Sequence, residues 1–138
     1  MSAKIGIPLF YLGNVKENDY NKMGLIYSAS DLTLVPSRIE SFGLVALESL
    51  AHKRPVITFK NLGTTDLIIH RKNGFLSNYL DTQSLFRGIK WFYKLSNKEK
   101  ELVNNFSREV VYNNFNLKKI SQKYIKLYKT INAKLSKK

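Results

Sequence analysis

Two glutamates eight positions apart, Glu40 and Glu48, bracket Gly43 in the run from Pro36 to Glu48. Carboxylates accept hydrogen bonds from sugar hydroxyls, and charge-assisted bonds are the stronger kind. An apolar stretch (Leu32, Leu34, Val35) leads into the run and stops at Pro36, and a helical pattern begins at Leu44. Strand, polar turn, glycine and helix in that order set backbone N–H groups and the positive end of a helix dipole above a strand end, which is a place for phosphate. One glutamate precedes the helix and the other lies about a turn inside it. The pairing suits a ligand with a diphosphate in the middle and hydroxyls at both ends, as in a nucleotide-sugar.

Other elements must hold those groups in place. Leu9 to Leu12 reads as a strand closed by Gly13-Asn14, and Glu17 to Ser30 as a helix through Tyr20, Met23, Leu25, Ile26 and Tyr27. Asp31 to Val35 is expected to be a strand buried on both faces, as in a parallel sheet. Leu44 to Ala51 is the next helix, and Pro55 to Phe59 a third strand with proline tolerated at its start. Asp66 to His70 is expected to add a helical turn, and Asn73-Gly74 to turn the chain into a short strand at Phe75-Leu76. Beyond Asp81 the pattern is helical. Leu85, Ile89, Phe92 and Tyr93 form one stripe, Ser96 with Glu99 predicts a capping box, and a basic amphipathic helix occupies residues 117–138. Alternating strands and helices with right-handed crossovers predict an α/β fold, a Rossmann-like open parallel sheet with flanking helices.

The 138 residues are one domain's worth, with 43% hydrophobic and 24% charged residues, a globular composition. The lack of cysteine excludes disulfides and thiol chemistry. No run approaches the ~20 apolar residues that span a bilayer, and the first residues lack a signal-peptide core, so a cytoplasmic protein is expected. The net charge of +13 is lopsided: residues 1–85 contribute +2 and residues 86–138 contribute +11. Lysines on solvated helix faces account for this, as does attraction to an anionic inner-membrane surface, where each basic residue adds about 1 kcal/mol. Nucleic acid is not expected, since no DNA- or RNA-binding signature accompanies the charge.

The order of signals resembles the C-terminal nucleotide-binding domain of GT-B glycosyltransferases, specifically glycosyltransferase family 4. The matching residues are Phe10-Tyr11-Leu12-Gly13, Ser30-Asp31, Val35-Pro36-Ser37, Glu40 to Glu48 around Phe42-Gly43-Leu44-Val45, Pro55-Val56-Ile57, Gly63 and Asn73-Gly74-Phe75-Leu76. The resemblance covers roughly Leu9 to Tyr128. It implies that Glu48 binds the nucleotide ribose, and that Glu40 lies beside the transferred sugar as the catalytic carboxylate. It places the diphosphate on the amides around Ser41, Phe42, Gly43, Leu44 and Val45. It also implies a retaining transfer with no cofactor and no obligatory metal, which agrees with the lack of an Asp-x-Asp motif. The plainer roles are a solvated Glu48, a Glu40 that only sets charge before a helix, and a Gly43 that only eases helix entry. Asp66 is as well suited to capping a short helix as to holding a ligand, and His52 and His70 are expected at the surface.

The chain departs from the family at two places. His52-Lys53-Arg54 stands where a small residue and a glycine usually precede the Pro-Val-Ile strand, and Leu62 stands where a second glycine usually precedes Gly63. The larger departure is what the chain does not contain. A GT-B enzyme has an acceptor domain, two further strand–helix units and an Arg/Lys pair that grips the diphosphate. The expectation is therefore a partial domain over residues 1–138, inactive alone, that is completed by an N-terminal domain or partner half. In a sheet ordered 3-2-1-4-5-6 the absent strands are central, leaving the first strand here without a neighbour and the Asp31-to-Val35 strand with a bare edge. Self-association through that edge, or rearrangement of the first strand, follows. The expected function is donor binding within a transferase that moves a sugar from a UDP- or GDP-sugar to a glycan or lipid-linked acceptor. The alternative is a non-catalytic interaction module that keeps the fold.

Overall fold

The computed structural model describes residues 10–16, 19–60 and 62–135. In chain order these form α1 (Tyr20–Ala29), β1 (Thr33–Val35), α2 (Leu44–Ala51), β2 (Val56–Phe59), α3 (Leu62–Thr65), β3 (Gly74–Ser77), α4 (Thr82–Lys94), α5 (Asn97–Asn114) and α6 (Leu117–Leu135). The three strands make one parallel sheet in the order β1-β2-β3. Thr33 stands opposite Val56, and Val56 opposite Gly74.

Every residue of β2 is buried, as its continuous apolar content requires of a central strand covered on both faces. On one face Val35, Ala46, Leu50, Val56, Leu67 and Ile68 form the core, with Val111 and Phe115 of the α5 end packed against it. On the other face α4 comes close enough that a methyl group at Gly88 would lie 2.9 Å from both Ile57 and Phe75. Helix α5 starts with the expected capping box: the Ser96 hydroxyl accepts from the Glu99 amide, and the Glu99 carboxylate accepts from the Ser96 amide.

Three expectations need correction. The expected first strand begins at Leu9, outside the described residues, and Phe10, Tyr11 and Leu12 form no strand and are exposed. Extended backbone becomes a strand only with a ladder partner, and no described segment offers one there. The helical turn expected at Asp66 to His70 lies earlier, at Leu62–Thr65, so Asp66 follows that helix rather than capping its start. At His70 the chain instead makes an isolated parallel bridge to Gly74. The Asp31-to-Val35 strand is shorter than expected, Thr33–Val35, and is not buried on both faces. Val35 is 5% exposed but Leu34, on the opposite face, is 47% exposed, because among the described residues β1 pairs only with β2 and no helix covers that face of it fully.

Where the family pattern has glycine, Lys53 takes a left-handed φ of 60°. The crossover into β2 thus carries a lysine in a strained conformation. Arg54 is half-buried. Its guanidinium donates to the carbonyls of Tyr27 and Ser28 at 3.1 and 2.7 Å, tying the end of α1 to the start of β2.

Candidate functional site

The loop after β1 and the first turn of α2 form the rim of the site. Gly43 sits at the N-cap of α2 with φ 89° and ψ 54°, in the left-handed region that favours glycine. It is also buried, with Thr64 3.0 Å from where a side chain would begin. The Gly43 amide donates to Glu40 Oε1 at 3.1 Å. Glu40 therefore folds back over the helix entrance, and its carboxylate sits where the first-turn amides and the helix dipole favour an anion. Leu44 and Val45 are 63% and 48% exposed, so the turn that carries the remaining amides opens outward. Ser41 and Phe42 are exposed beside it, the Phe42 ring meeting Phe115 edge-on at 5.9 Å.

Glu48 lies one turn further along α2 and is exposed. Its Oε2 accepts a 2.9 Å hydrogen bond from the Tyr27 hydroxyl. Thus Glu40 and Gly43 meet at the N-terminal end of α2, Glu48 lies at the middle of the same short helix, and both carboxylates are held by hydrogen bonds. The helix itself is anchored by Ala46, Ser49 and Leu50 on its buried face.

The start of α3 supports the loop from below. A methyl group at Gly63 would lie 2.4 Å from the Glu40 carbonyl oxygen, 2.6 Å from the Ser41 carbonyl carbon and 2.7 Å from the Phe42 nitrogen. Only glycine allows this backbone-on-backbone approach, so Gly63 shapes the rim without reaching into it. Asp66 is exposed.

Sequence reasoning missed the parts played by two residues beside the site, Tyr27 and His52, and by one in the scaffold, Asn73. Tyr27 read only as one apolar member of a helix stripe, yet its ring is 5% exposed and its hydroxyl reaches Glu48. His52 is at the surface as expected, but it stacks on Tyr27 with ring centroids 5.3 Å apart, and its Nδ1 lies 2.9 Å from the Glu48 carbonyl oxygen. Asn73 read as half of a turn. It is fully buried, accepting from the Ile69 amide at 2.7 Å and donating to the Leu67 carbonyl at 2.9 Å. An Asn-Gly pair directly before an apolar strand was the available signal.

Among the described residues no three His, Cys, Asp or Glu side chains gather as a metal site, and no helix is long and apolar enough to cross a membrane.

Residues 3–109 match the family described as glycosyl transferases group 1. An N-acetyl-alpha-D-glucosaminyl L-malate synthase of Bacillus anthracis is 35% identical over 107 residues, 75% of this chain and 27% of that protein. A glycogen synthase of Thermodesulfovibrio yellowstonii is 31% identical over 104 residues, 75% of this chain and 21% of its own length. Among solved structures, a sucrose-phosphate synthase from Thermosynechococcus elongatus superposes with a TM-score of 0.77 at 28% identity, over 90% of this chain and 30% of that one. An Anabaena protein, Alr3699/HepE, solved in complex with UDP-glucose, has a TM-score of 0.67 at 24% identity, over 76% of this chain and 29% of that one, and shares the fold. The chain thus spans about a fifth to a third of the length of such relatives.

Proposed function

Because the chain belongs to the group 1 glycosyl transferases, we propose that it is the donor-binding part of a retaining transferase that moves a sugar from a UDP- or GDP-sugar to a glycan or lipid-linked acceptor. The observation that carries this reading is α2 itself, where Glu40 folds over the Gly43 entrance and Glu48 follows at the middle of the same helix. Glu48 would accept hydrogen bonds from the vicinal ribose hydroxyls, and the first-turn amides from Gly43 to Val45 would take the diphosphate. That the Anabaena relative was solved with UDP-glucose supports a donor of this class.

The bond from the Gly43 amide to Glu40 suggests an exchange. An arriving diphosphate would take that amide, and Glu40 would turn towards the transferred sugar. As the glycosidic bond breaks, negative charge grows on the departing nucleotide diphosphate. A fixed helix N-terminus stabilises that charge more in the transition state than in the ground state, which is the condition for acceleration. We assign the acceptor site and the cations that complete the diphosphate cradle to residues outside this chain, and expect no turnover from it alone. The six lysines of α6 would let such an enzyme rest on an anionic membrane surface. Vesicle sedimentation that is lost at high salt would support that placement.

Calorimetric titration with UDP and GDP tests the donor site. We expect one of them to bind with a Kd between about 1 μM and 1 mM, and Glu48→Ala to weaken it by roughly tenfold or more. Failure of both nucleotides to bind would overturn the reading and favour a non-catalytic module.

A further inference from the structure

We infer that Tyr27 sets the ribose preference of this site by fixing one oxygen of the Glu48 carboxylate. The inference rests on the donor-binding reading above, and it concerns a residue of a different helix from the one that carries the site.

An exposed glutamate on a helix samples several rotamers, and a ligand that needs one of them must pay for that ordering. Here the phenol hydroxyl of Tyr27 already donates to Glu48 Oε2 at 2.9 Å. A carboxylate has about four acceptor sites on two oxygens. With Oε2 engaged by the protein and the residue exposed, the carboxylate keeps Oε1 for a ligand and has fewer rotamers left to sample. A vicinal diol requires just such an oriented acceptor. Binding to a preorganised group loses less freedom than binding to a mobile one.

Three observations show that the Tyr27 ring is itself held. It is buried to 5% exposure. The His52 imidazole stacks on it at 5.3 Å with an interplanar angle of 24°, and His52 is anchored to the Glu48 carbonyl oxygen through Nδ1 at 2.9 Å. Gly24 brings α1 close behind that imidazole, for a methyl group there would lie 3.1 Å from His52 Nε2. Burial first, and then the bond to Glu48 and that group's charge, hold the phenol well above the ordinary tyrosine range. It therefore remains an O–H donor across the physiological range. Tyr27 does not touch the ligand in this account; it is a positioning residue.

The experiment compares the nucleotide that binds, UDP or GDP, with its 2′-deoxy form on the full chain. The readout is the ratio of the two Kd values, which a general loosening of the fold would not change selectively. The unsubstituted chain should favour the ribonucleotide by roughly tenfold, and Glu48→Ala should bring the ratio to about one. Tyr27→Phe should lower the ratio by roughly threefold or more while leaving the deoxynucleotide within about twofold of its original Kd. The double variant should match Glu48→Ala, because both changes act through one contact. His52→Ala, which removes the stacked ring and leaves the phenol in place, should lower the ratio by about twofold. If neither Tyr27→Phe nor His52→Ala alters the ratio while Glu48→Ala collapses it, the positioning role is overturned and the donor site stands. If Glu48→Ala leaves the ratio unchanged, the donor-site reading itself fails.

Discussion

Helices α2 and α6 are both rich in apolar residues, yet they are packed in opposite ways. Eight-residue α2 buries Ala46, Ser49 and Leu50. Nineteen-residue α6 buries nothing, and Leu117, Tyr124, Ile125, Leu127, Tyr128 and Leu135 are all more than half exposed. Helical periodicity records which residues can share a face. Whether that face is covered depends on what the chain folds against it. Helix α2 is covered because it links two neighbouring parallel strands and must return across the sheet, where α5 closes over it. Its fixed position then sets the angles of Gly43 and Glu48, so the site inherits its geometry from the core.

The largest test of this contrast is a matched pair of truncations. Leu50→Ala should destabilise the protein by about 2 to 5 kcal/mol, because it opens a cavity in a fully buried position. Leu127→Ala, which is 52% exposed, should stay within about 0.5 kcal/mol in the same denaturant titration. Equal losses would mean that α6 is held by the fold after all.

Next in size is Gly63→Ala. Its new methyl would meet backbone at 2.4 Å, so the Glu40-to-Phe42 loop must move. We expect about 1 to 3 kcal/mol of destabilisation with weakened nucleotide binding. A stable variant that binds normally would show that α3 does not shape the rim.

Lys53→Gly should act in the opposite direction and raise stability by up to about 1 kcal/mol, since the position already has a left-handed φ of 60°. That gain is trimmed by the freedom glycine adds to the unfolded chain, and by losing the 2.9 Å bond from Lys53 Nζ to Asn105.

The smallest effect is one of pH. His70 Nδ1 accepts from the Leu76 amide at 3.1 Å, which requires that nitrogen to be unprotonated. Burial first, and then the nearby Arg71 and Lys60, hold the imidazole below its ordinary range. A lowered folded value means that the contribution is complete above the unfolded pKa of about 6.5 and is lost as pH falls through the folded one. The unfolding midpoint should therefore drop on acidification below about pH 6.5, and less so in His70→Ala.

Much of this architecture was legible in the residues. Leu44 to Ala51 is the whole of α2, and the strand expected at Pro55 to Phe59 differs from β2 by its first residue, since proline cannot donate to the ladder. The Ser96–Glu99 cap is local chemistry and is found as expected. What the residues did not show depends on partners far along the chain. Phe10 to Leu12 has strand composition but pairs with no strand among the described residues. Tyr27 and Glu48 are 21 residues apart, and nothing in either neighbourhood announces their bond. Gly63 reads as loop punctuation until the Glu40 backbone is seen against it.

The most direct test is an amide NMR titration of the 15N-labelled chain with UDP and with GDP. The account predicts that one nucleotide shifts the Gly43, Leu44 and Val45 amides, with Glu48 close behind, while the α6 amides from Leu117 to Leu135 stay in place. Shifts concentrated on α6, or none at the entrance to α2 at millimolar nucleotide, would contradict it.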